Sequence, residues 1–142
     1  MKPPDTQNRA RRVGSGQTLV EFAICALVLF MLVFAVVDLA RGVFAYNTIA
    51  HCAREGVRYA VVHGATSAAP VGPTADNTGL TAVVRGFATG LNTNSVSVFS
   101  SWPNGNETGK VVTVTVIYAF QPATTFFRTM SLSNSSSAII LR

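Results

Sequence analysis

Few side chains in this sequence are of the kinds that make or break bonds. His51 and Glu55 stand four residues apart, which on a helix places an imidazole and a carboxylate on one face, a spacing that metal sites use. Two ligands do not complete a coordination shell, and a solvated helix face explains the same pair. From Gly64 onward there is no His and no Cys, and the side-chain carboxylates are Asp76 and Glu107. A Ser nucleophile there has no imidazole base, and carboxylates 31 positions apart on loop-like segments make no glycosidase pair. No zinc spacing, phosphate-binding loop or dinucleotide fingerprint occurs. Neither enzymatic activity nor a metal or cofactor is expected. The carboxylate that calls for an explanation is Glu21, because everything around it is apolar.

The element that must position Glu21 is a membrane helix. Between Arg12 and Asp38 lie 25 residues whose single charge is Glu21, and Phe22 to Val37 are all apolar. A bilayer core of about 30 Å needs about 20 helical residues, so the span starts near Leu19 and takes Glu21 with it, or stops early. A carboxylate at such a depth costs a few kcal/mol, which makes it a functional candidate, with snorkelling to the headgroups as the plain structural reading. Arg9, Arg11 and Arg12 precede the run, and the next positive charge is Arg41, so the N-terminus belongs in the cytoplasm. A cleaved secretory signal would end in a small-x-small site, but this run leads into Val36-Val37-Asp38-Leu39.

Past Val37 the pattern becomes amphipathic without a break. Leu39, Val43, Tyr46, Ala50, Ala53, Val57 and Ala60 recur at spacings of four and three, a seam expected to face the rest of the fold. One helix is read from Gln17 to His63, about 70 Å long, with Gly64 as its C-cap. On it Cys25 and Cys52 stand about 40 Å apart, too far for a disulfide. After a loop over residues 64–79, Leu80, Val83, Val84 and Phe87 repeat at helical spacing. Val96 and Val98 begin a strand turned by Pro103-Asn104-Gly105-Asn106, and Val111 to Phe120 alternates as a strand with Val112, Val114, Val116, Tyr118 and Phe120 on one face. Ser137 to Leu141 reads as the last strand. The expected fold is α+β: a long N-terminal membrane-spanning helix continuing into an amphipathic helix that packs on a small antiparallel sheet, with residues 1–16 as a basic leader, 17–63 as the helix and 64–142 as an extracytoplasmic domain.

Composition agrees. Of 142 residues 49% are hydrophobic and 12% charged, about half the charge of an ordinary soluble domain. The net charge of +5 is concentrated at the start, where four basic residues face one acid in residues 1–16. Arg54 and Arg58 are helix neighbours without a wider basic patch, so nucleic acid is not an expected partner; pairing with Glu55 or another subunit is.

Arg11-Arg12-Val13-Gly14-Ser15-Gly16-Gln17-Thr18-Leu19-Val20-Glu21-Phe22 resembles the class III signal of type IV pilins and pseudopilins: a basic leader, a Gly before the cut, a Glu at the fifth mature position, then the apolar helix. With Asp38-Leu39-Ala40-Arg41 and Ala53-Arg54-Glu55-Gly56-Val57-Arg58-Tyr59-Ala60, the wider sequence is similar to the TadE-like proteins of the tight-adherence (Flp) pilus system. Two positions depart from the family pattern: Leu27 stands about where its helix has a proline, and Phe22 where many such signals have Tyr. The resemblance implies cleavage between Gly16 and Gln17, subunit pairing through Glu21, and a pilin-like fold. It also implies a prepilin peptidase, an inner-membrane assembly platform and other pilus subunits as partners, with the chain single-pass in a bacterial inner membrane. The alternative is an uncleaved bitopic protein whose exterior domain binds a ligand or surface polymer.

Overall fold

The computed structural model describes residues 7–75, 77–124 and 128–141, with side chains from Gly16 onward. A single helix, α1, runs Gln7–Val62 over 56 residues, about 84 Å at 1.5 Å per residue. It begins ten residues before the expected start, because Gln7 to Arg12 are mostly good helix formers and Gly14 and Gly16 cost only about 1 kcal/mol each. From Gly16 to Val37 its side chains are exposed apart from the half-buried Ala26 and Ala35. It is long and apolar enough to cross a membrane, by length and composition.

The C-terminal half of α1 packs on β2 and β3 and on a second helix, α2, Thr78–Gly86. β1 (Val96–Ser101), β2 (Val111–Phe120) and β3 (Met130–Ile139) form an antiparallel sheet in the order β1-β2-β3. Val112, Val114, Val116 and Phe120 of β2 are buried beneath α1, with Val96 from β1 and Leu80 and Val84 from α2 completing the core. The α+β architecture is as expected.

Three details differ. The last strand starts at Met130, not Ser137, and pairs with β2 along its whole length from Phe120↔Met130 to Val111↔Ile139. Its serine-rich sequence looks like a loop, but an antiparallel strand with one face open needs burial only at alternate positions. Leu132, Asn134, Ser136 and Ala138 supply it, and the Thr113 and Ser137 hydroxyls meet at 2.7 Å on the open face. The seam is the second. Its upper members Ala53, Val57 and Ala60 are buried, but Leu39, Val43 and Tyr46 point outward, and the lower contact is made by Asp38, Ala45 and Ile49. Small residues face the sheet because the backbones approach closely, and a hydrophobicity pattern is dominated by the larger side chains beside them.

The third is the end of α1. Gly64 does not adopt the left-handed conformation; positive φ occurs at Gly90, Gly105 and Gly109 among the described residues. The terminal carbonyls are satisfied by other groups instead. His63 Nδ1 donates to Tyr59 O at 2.8 Å, His63 N to Ala60 O at 3.2 Å, and Leu141 N to Val61 O at 3.1 Å. The C-terminal strand is thereby tied to the far end of the N-terminal helix.

Candidate functional site

The candidate residues near the N-terminus lie on successive turns of α1. Gly16, Gln17 and Glu21 are on the exposed inner part of α1, and a Cβ on Gly16 would meet nothing within 4 Å. Arg9, Arg11 and Arg12 lie in the helical backbone, but their side chains, like Asp76, lie outside the described residues. The Gly16–Gln17 peptide bond is inside the helix, so cutting it requires local unwinding; two glycines within three residues make that stretch the weakest of the inner helix.

Glu21 and Asp38 bracket the apolar run, 17 residues and about 26 Å apart. Their environments are opposite. Glu21 is exposed, whereas Asp38 is 2% exposed although it sits where the span ends. Its carboxylate accepts from Ala123 N and Thr124 N, each at 2.9 Å, from Thr124 Oγ1, and from Arg41 Nη1 at 3.2 Å. Arg41 in turn lies over the Phe120 ring, 5.8 Å from its centroid. These donors compensate the burial of the Asp38 carboxylate. Asp38 therefore pins the β2–β3 connection onto α1 where the apolar run ends. Nothing in the local pattern Asp38-Leu39-Ala40-Arg41 signals this role. The i,i+3 pair is visible in the sequence, but the partners 85 and 86 positions away are not.

The remaining candidates are engaged separately. The His51 ring meets Phe87 edge-on at 5.5 Å, and Glu55 accepts from Arg58 at 3.2 Å, the pairing expected for that arginine. No three His, Cys, Asp or Glu side chains converge among the described residues. Cys52 is fully buried, which raises its thiol pKa and removes it as a cross-linking group; Cys25 is exposed on the span. Among the described residues, the arrangement offers a helix with a long exposed apolar stretch and a domain held to its C-terminal half.

Residues 16–58 match the family model of TadE-like proteins, the family named from the sequence pattern. The match runs from Gly16 through Asp38–Arg41 to Arg58. No curated protein and no solved structure matches the chain.

Proposed function

We propose that this chain is a minor pseudopilin-like component that assists assembly of a tight-adherence (Flp) pilus or a related secretion apparatus. It acts by assembly and not by catalysis, from a bacterial inner membrane, with Arg9, Arg11 and Arg12 cytoplasmic and the sheet domain outside. The observation that carries this reading is the order of parts on one uninterrupted helix. The Gly16-to-Glu21 signal comes first, then an exposed apolar span, then a packed domain whose first contact is Asp38. That order presents a membrane-embedded surface to neighbouring helices while the domain projects beyond it. Other pilus subunits, a prepilin peptidase that cuts after Gly16, and an inner-membrane assembly platform are its partners in this reading.

A second reading is supported by the helical state of the Gly16–Gln17 bond. If that stretch stays folded, the protein is an uncleaved bitopic anchor whose exterior domain binds a ligand or surface polymer. Intact-mass measurement of the protein recovered from membranes containing an active prepilin peptidase separates the two. Loss of residues 1–16 supports the pseudopilin; a full-length mass refutes it and leaves the anchor.

A further inference from the structure

Beyond Val37 the domain leaves part of α1 uncovered. Leu39 and Val43 are 67% and 55% exposed, and with Gly42, Tyr46, Met130 and Leu132 they wall an almost wholly apolar groove of about 270 Å³. It reaches down to Asp38 and continues the exposed apolar surface of the span without a gap. Small-molecule sites are usually larger, on the order of 300–1,000 Å³, and contain polar groups that fix orientation.

The length of the span says what fills the groove. Phe22 to Val37 is 16 residues, about 24 Å of helix, roughly 6 Å short of a 30 Å hydrocarbon core. About four more residues must enter it, from one end or the other. At the inner end the next residue is Glu21, exposed. At the outer end it is Asp38, whose carboxylate is already buried and supplied with donors by Ala123, Thr124 and Arg41. Hydrocarbon against the Asp38 carboxylate itself desolvates almost nothing further. Arg41, half-exposed, keeps the open side of its head toward water while holding Asp38, and the following turns, up to Tyr46, then occupy the headgroup layer, the level where tyrosine is enriched.

We propose that the domain is seated in the leaflet on its own side of the membrane, with lipid acyl chains filling the groove between α1 and the start of β3. This rests on the reading of the apolar run as a membrane span. The cost of immersing Asp38 is met by the β2–β3 connection, which makes that clamp a device for lowering the domain into the bilayer.

Depth-dependent fluorescence quenching tests this on the full chain in phosphatidylethanolamine and phosphatidylglycerol vesicles, in a Trp102→Phe background. Phe30→Trp reports the span, Val43→Trp and Leu39→Trp the groove, and Arg54→Trp the water-exposed helix; two groove reporters guard against one that fails to fold. The quenchers are phospholipids brominated mid-chain or near the headgroup, and aqueous iodide. The expected result is that the groove reporters are quenched most by the shallow bromines and are several-fold less accessible to iodide than Arg54→Trp. Iodide quenching of both groove reporters equal to that of Arg54→Trp, with Phe30→Trp quenched by mid-chain bromines, overturns the seating while leaving the span intact. Groove reporters shielded from both quenchers until the protein is diluted in lipid mean that a second copy covers the groove, which also overturns it. A Phe30→Trp reporter indifferent to all bromines refutes the span and the seating together.

Discussion

Gly56→Ala tests how closely α1 approaches the domain. A Cβ at Gly56 would stand 2.7 Å from Val84 Cγ2 and 3.1 Å from Val114 Cγ1. Carbon atoms prefer about 3.5–4.0 Å, so Val84 must retreat by roughly 1 Å. It cannot do so easily, because both valines are fully buried and β-branched side chains have little rotamer freedom. Overpacking of this kind costs up to about 3 kcal/mol, and replacing a helical Gly returns about 1 kcal/mol. The net is about 2 kcal/mol of destabilisation, or about a 30-fold larger open population. Cys52 is a built-in reporter, since its buried thiol reacts only when the packing opens. In a Cys25→Ala background, Gly56→Ala should speed Cys52 labelling about 30-fold on the same free-energy scale. Adding the change to Val84→Ala should speed labelling far less than about 30-fold relative to Val84→Ala alone, because the 2.7 Å obstruction is gone and only the 3.1 Å approach to Val114 Cγ1 opposes the helix gain. Labelling of Gly56→Ala at the wild-type rate, or an undiminished penalty of about 30-fold in the Val84→Ala background, would refute the close approach to Val84.

Asp38 holds the β2–β3 connection through its carboxylate. Asp38→Ala leaves the Ala123 and Thr124 amides without their acceptor, so melting followed by Trp102 fluorescence should show a loss of about 1–3 kcal/mol; wild-type melting would remove Asp38 from the clamp. Glu21→Leu should insert and accumulate at least as well as wild type, because it removes a carboxylate from the membrane edge, yet co-purify poorly with other pilus components. The reason presumes cleavage. Loss of residues 1–16 takes four basic groups and one acid, lowers the side-chain charge from +5 to +2, and creates an amine at Gln17, one helical turn from Glu21 and able to pair with the Glu21 of a neighbour. Wild-type co-purification by Glu21→Leu would leave Glu21 with headgroup contact alone.

Periodicity was informative where one residue class dominated. The uninterrupted apolar run specified the span, and the alternation of Val112, Val114 and Val116 specified the central strand and its buried face. It was misleading where burial depended on size. Leu39, Val43 and Tyr46 make a better hydrophobic stripe than Gly42, Ala45 and Gly56, but only small residues let α1 come within reach of Val84 and Val114. Serines hid most of β3 because its partner strand, and not its own propensity, decides its conformation. The Asp38 clamp lay beyond reach for another reason: its donors are two backbone amides and a hydroxyl brought from a distant connection by the sheet register.

Two attachments lie far apart along α1. Asp38 grips the β2–β3 connection at one end and Val61 receives Leu141 at the other, 23 residues and about 35 Å away. A body fastened to a rod at two such points can neither swing nor swivel about it. The azimuth of the sheet domain is consequently set by the azimuth of the span, at 100° per residue. Adding or deleting one residue in the apolar run would turn the whole exterior surface through more than a quarter of a circle while raising or lowering it by only about 1.5 Å. The length of that run thus governs which direction the domain faces far more strongly than how high it stands.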